Sequence, residues 1–202
     1  MALIVIIMKS TRPYVLKARA QSVHETRERI MEAVLALANE APLSALVLPE
    51  VAARSGVSVQ TVLRQFGTRE GLLDATQELA SARVTAEREV VPGDVPAAIT
   101  NLFDHYELRG DGVLLLLGQE SWEPRAAKIT TEGRSIHRNW VERVFAPLLA
   151  DTAEPARGEI LDLLVVACDV YTWKLLRRDR KLDREDAESR LLRLVASILQ
   201  GA

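Results

Sequence analysis

Gln60, Thr61, Arg64 and Gln65 group on one face of a short helical stretch near the middle of VAARSGVSVQTVLRQF, residues 51–66. Their chemistry is that of base reading: arginine grips a guanine edge bidentately, glutamine an adenine edge, and threonine offers a hydroxyl to a phosphate or a methyl to thymine. Such contacts need a rigid support. Val59, Val62 and Phe66 recur at spacings of three and four and form an apolar stripe that anchors the opposite face. Before them, Gly56 in Ser55-Gly56-Val57 can take the positive φ of a tight helix corner. Ser58 then caps the second helix, and Val57 and Val62 stand at the two positions of a hydrophobic staple around that cap. Together these features have the layout of a helix-turn-helix that reads DNA. Taken alone, the segment also fits a plain helical hairpin with a solvated polar face.

The elements on either side must hold this corner in place. Upstream, Ser22-Val23-His24-Glu25 has the pattern of a capping box, Ile30, Val34, Leu37 and Ala38 follow at helical spacing, and Pro42 ends the helix. A second helix is expected to start with Pro49 at its first position and Leu48 as its cap. Downstream comes Gly67-Thr68-Arg69-Glu70-Gly71-Leu72-Leu73. In this order the parts, over roughly residues 22–80, resemble the TetR family of bacterial transcriptional regulators. The resemblance implies an all-α fold of about nine helices: a three-helix DNA-binding head with the helix-turn-helix, then a helical body for dimerisation and ligand binding. It further implies a homodimeric repressor that binds a palindromic operator in double-stranded DNA and is released by a small-molecule effector, with no cofactor and no catalysis. Gln60, Thr61, Arg64 and Gln65 would read bases, and Arg27, Ser58, Thr68 and Arg69 would hold the DNA backbone. The chain departs from the family pattern at Val47-Leu48-Pro49, where a capping threonine is usual, at Leu63, where a tyrosine is common, and at Gln65, where a histidine is frequent. These departures make a helical interaction protein with a degenerate head the competing reading.

Charge agrees in its distribution. The net charge is −2, but residues 1–30 carry Lys9, Arg12, Lys17, Arg19, Arg27 and Arg29 against Glu25 and Glu28. Residues 1–20 are therefore expected to be a disordered basic arm, suited to phosphate contacts that supply salt-dependent affinity. The apolar start MALIVIIM has its basic residues after the run, the reverse of a signal peptide, so Met1–Ser10 reads as a tail or as residues upstream of a true start at Met8. With no segment long and charge-free enough to span a bilayer, the expected location is cytoplasmic and nucleoid-associated, with no membrane partner. Cys168 alone cannot form a disulfide framework, and His24, His105 and His137 lack the short paired spacings of a metal site. No nucleophile elbow or phosphate-cradling loop is present, which leaves an enzyme with an unmarked site in the body as the weakest alternative.

The expected organisation is an arm over 1–20, a head over 21–68 with its motif at about 47–66, a connecting helix over 69–90, and a body over 95–202. The break Val91-Pro92-Gly93-Asp94-Val95-Pro96 opens the body. Body helices are expected at about 95–108, 111–121, 124–149, 154–180 and 184–199. Residues 160–176 are apolar nearly all round, as a helix buried on two faces requires, and the resemblance assigns the last two helices to the dimer interface. Within them Asp162 and Asp169 stand two turns apart, and each needs a partner, by preference a structural ion pair rather than a ligand. Tyr106, Trp122, His137, Trp140, Cys168, Asp169 and Trp173 are the candidates for a ligand pocket, whose walls should be mostly apolar with a few polar groups. For each of them singly, core packing competes, and Gln119, Glu120 and Trp122 suit either a pocket mouth or a helix end.

Overall fold

The computed structural model describes residues 12–201, which fold entirely as helices and connecting turns, with no strand among the described residues. The head comprises α1 (Arg12–Glu40), α2 (Leu48–Ser55) and α3 (Val59–Phe66). The long α4 (Arg69–Glu87) leads to the body: α5 (Val95–Leu117), α6 (Pro124–Phe145), α7 (Ala156–Ala167), α8 (Val170–Lys174) and α9 (Arg184–Gln200). A π-helical turn, Leu175–Asp179, continues α8.

Two apolar cores hold these elements. Ile30, Val34, Leu46, Val51, Val62 and Leu72 close the head, each at most 3% exposed. Burying a side chain of this size contributes about 1.5–3 kcal/mol, so Val62 is a principal anchor of α3. The body core is built around Leu102, Phe103, Phe145, Leu164, Trp173 and Leu191. Leu116, Ala126 and Ile129 belong to the body in sequence, yet they pack into the head core and tie the two parts together.

The structure alters several expectations. α1 starts at Arg12, so residues 12–20 are helix rather than a disordered arm, and the rest of that arm lies outside the described residues. Lys17-Ala18-Arg19-Ala20-Gln21 are all good helix formers, and the helix runs through Ser22 without stopping. The capping box therefore does not form; the Ser22 carbonyl instead accepts a hydrogen bond from the Thr26 hydroxyl at 2.8 Å. α2 begins one residue early, with Val47 rather than Leu48 as its cap and Leu48 ahead of Pro49 in the first turn.

The expected break near residue 110 is absent, and α5 runs unbroken across Gly110 and Gly112. The glycines serve close approach rather than a turn. A Cβ on Gly110 would lie 2.5 Å from the Trp173 ring, and one on Gly112 would collide with Asn39 of α1. Conversely, the expected helix over 154–180 is divided. α7 ends at Ala167, and Asp169 caps α8 by accepting from the Tyr171 amide at 2.9 Å. An aspartate offers its carboxylate to free amides more readily than it continues an apolar helix.

Candidate functional site

The α2–α3 corner is set by local chemistry. Gly56 adopts φ 67°, in the left-handed region, and its amide closes the last turn of α2. Ser58 is extended and accepts from the Thr61 amide at 3.1 Å, while its hydroxyl sits 3.0 Å from that of Thr61. With Val62 fully buried beneath, Gln60 and Arg64 are exposed, Thr61 and Gln65 half-buried. Ser58, Gln60, Thr61, Leu63 and Arg64 share one shallow surface depression. Leu63 is 39% exposed there, an apolar contact in place of a hydroxyl.

Of the expected backbone-contacting residues, two are engaged inside the head. Arg27 donates to the Gln65 carbonyl at 2.9 Å and stacks over the Phe66 ring at 4.2 Å, which fixes the C-terminal end of α3. Arg69 donates through Nε to the Leu46 carbonyl and through Nη2 to the Leu43 carbonyl, both at 2.8 Å. Arg29 likewise donates to the Ser55 carbonyl. Ser58 and Thr68 are exposed caps, with the Thr68 hydroxyl accepting from the Gly71 amide at 3.0 Å. Lys17 and Arg19 are exposed basic residues on α1.

Behind the head lies a cavity of about 320 Å³, walled by α1, α4, α5, α6 and the start of α8. It is small for a ligand pocket and mainly apolar. Of the candidate pocket residues, Tyr106, His137 and Asp169 line it. Trp140, Cys168 and Trp173 do not: all three are buried in the body core. Trp122 is 57% exposed and lies apart from the cavity. Large aromatic residues and a small thiol fill a core as readily as they line a pocket, which is why composition did not separate the two. Asp162 is also remote from it, exposed and paired with Arg138 at 2.8 Å. Gln119 belongs to a joint, accepting from the Leu43 amide at 2.9 Å while its own amide donates to the Leu115 carbonyl.

The sequence reading missed Arg88 and His105, and it missed the contribution of α1 and α4 through Val34, Leu73 and Val84. Arg88 is the C-cap of α4, only 3% exposed. Its guanidinium stacks on Trp140 at 4.3 Å, and one Nη lies 3.2 Å from His137 Nδ1. His137 Nε2 lies 3.1 Å from the Val165 carbonyl, which can only accept, so Nε2 carries the proton and Nδ1 accepts from Arg88. Burial first, and then the charge of Arg88, hold His137 below the usual histidine range. The same two causes lower His105 to about 4. Burial pushes the Cys168 thiol up to about 12, so it stays protonated. Tyr106 donates its hydroxyl to the Cys168 carbonyl at 3.0 Å. Among the described residues no group of three or more His, Cys, Asp or Glu is placed to hold a metal ion, and no helix is long and apolar enough to cross a membrane.

Residues 30–76 match the model of the bacterial regulatory proteins of the tetR family. The fold is similar to the crystal structure of a transcriptional regulator from Rhodococcus sp. Rha1, at a TM-score of 0.66 and 24% identity over 87% of this chain and 97% of that one. No curated protein matches the sequence.

Proposed function

We propose, from a head whose residues 30–76 belong to the tetR family of bacterial regulatory proteins, that this chain is a homodimeric repressor released from a palindromic operator by a small molecule. The observation that carries the reading is the edge formed by the exposed Gln60 and Arg64 with the half-buried Thr61, held on a helix whose start is capped by Ser58 and whose back is buried through Val62. Phosphate contacts fall to the hydroxyls of Ser58 and Thr68 and to the exposed Lys17 and Arg19, since Arg27 and Arg69 brace the head. The dimer reading rests on large apolar side chains left open on the last segments: Leu163, Val166, Tyr171, Leu175 and Leu194 are 44–66% exposed. Two-fold pairing through this face would set two copies of α3 one DNA turn apart, roughly 34 Å.

The cavity supports the effector reading. Leu73, Gln77, Ser81, Val84 and Arg88 of α4 form one of its walls, and the N-cap of α4 adjoins the end of α3. A molecule lodged there touches the helix whose other end carries the DNA-reading element. The deciding experiment is a mobility-shift assay of the purified full chain on DNA from upstream of its own gene, against random DNA, over a salt series. The expected result is a sequence-specific complex containing two protomers, with affinity falling steeply with salt. Lack of binding even at low salt defeats the reading.

A further inference from the structure

Four arginines line the cavity, and three have carboxylate partners. Arg109 donates to Glu87 at 2.8 Å, Arg125 to Asp74 at 2.7 Å and Arg134 to Glu120 at 2.8 Å. Arg88 is the exception among the described residues. It is the most buried of the four at 3% exposed, and among the described residues its only side-chain hydrogen bond goes to the neutral His137 and its Nε has no partner. A guanidinium does not discharge by losing its proton, so the charge stays in an apolar enclosure with donors unused. Buried ions are ordinarily paired, because removal from water is otherwise uncompensated. Its charge also acts on its neighbours: after burial, Arg88 is the next cause that lowers the proton affinity of both His105 and His137. Asp169, the acidic member of the wall, is committed to capping α8 and lies outside ion-pair range of Arg88.

We propose that the cavity takes a small carboxylate with an apolar body, its carboxylate bound by Arg88 and its body lying along Val34, Leu73, Val84, Val113 and Ile129. The planar guanidinium fork matches a carboxylate in two parallel hydrogen bonds, and Trp140 behind it holds the plane in place. His137 fixes one edge by accepting from Nη2, and Nε is sealed off by its surroundings, so the ligand meets the Nη1–Nη2 end of the fork, where Nη1 makes no hydrogen bond among the described residues. The volume of about 320 Å³ limits the body to a short acyl chain or a single aryl ring. This deepens the effector reading above and rests on it only for the consequence at DNA.

The test uses matched probes on the free protein: octanoate, octanol and octylamine, and 3-phenylpropanoate, 3-phenylpropanol and 3-phenylpropylamine, followed by thermal shift and intrinsic tryptophan fluorescence. At least one carboxylate is expected to bind roughly tenfold or more tightly than its alcohol and amine counterparts, the scale of one charge-assisted pair. Arg88→Met, which fills the same space without charge, should erase that preference and leave the unliganded protein as stable as before or more so. Arg88→Lys, which keeps the charge and loses the fork, should bind the carboxylate with intermediate affinity. Failure of both carboxylates to bind, or a preference that survives Arg88→Met, overturns the proposal. Because these measurements need no DNA, carboxylate selectivity without operator binding would sink the repressor reading alone, and operator binding without selectivity would sink the anion site alone.

Discussion

Arginines of one head serve two different ends, and substitution separates them. Arg64 is exposed on α3 and makes no side-chain hydrogen bond among the described residues. Arg64→Ala should leave the melting temperature unchanged, cost about 1–3 kcal/mol on the operator, and relax discrimination at one base pair. Equal losses on operator and random DNA would contradict base reading. Arg69 holds the carbonyls of Leu43 and Leu46, two buried residues. Arg69→Ala orphans the Leu46 carbonyl and should destabilise the fold by about 1–3 kcal/mol, lowering the melting temperature by several degrees. An unchanged melting temperature with weakened binding to all DNA would return Arg69 to the phosphate backbone. The two residue roles were not separable in sequence, since both arginines sit next to a helix end in a segment rich in turn signals.

At the scale of elements, glycine shows what spacing reveals and what it hides. Gly56 and Gly67 were legible as corners because each lies between two periodic segments, and both take positive φ. Gly110 and Gly112 invited the same interpretation, yet they lie inside α5, where they make room for Trp173 and Asn39. That function depends on a partner far along the chain, which local pattern cannot supply. Gly110→Ala should therefore destabilise the body by about 1–3 kcal/mol, because Trp173 is enclosed by core and by the Arg178 guanidinium stacked at 4.4 Å, and has nowhere to move. Calorimetry showing no loss, despite the better helix propensity of alanine, would mean the ring can shift. The cavity was the least legible element. Its location depends on α1 and α4 meeting the body, and Arg88 reads in sequence as one more surface cation near a proline-glycine break. On the last segments, Val166→Glu should leave the fold intact and convert a dimer into a monomer by light scattering; a dimer that persists would move the interface off this face.

For the whole molecule, burial of the two cavity histidines makes stability depend on pH in a defined window. His105 titrates at about 4 when folded and 6.5 when exposed, so between those values the unfolded chain binds the extra proton. Stability should be full above about pH 6.5 and fall on the order of a few kcal/mol as pH drops toward 4, with His137 adding in the same direction. Melting temperatures between pH 7.5 and 4.5 test this, and His105→Gln should flatten the slope; an unaltered slope would assign it to other groups. The paired carboxylates of Glu87 and Asp74 are held below their ordinary range by Arg109 and Arg125, so their contribution is lost only at lower pH. Head and body also meet at the main chain of Leu43. The Leu43 amide is given to Gln119 of the body, and its carbonyl receives Arg69 at the start of α4. A buried amide bonded in this way can trade its hydrogen for deuterium only when the side chain of Gln119 withdraws. Leu43 thus carries a built-in clock for head–body separation, and the isotope uptake of one residue, timed with and without a ligand, would record how often the molecule opens.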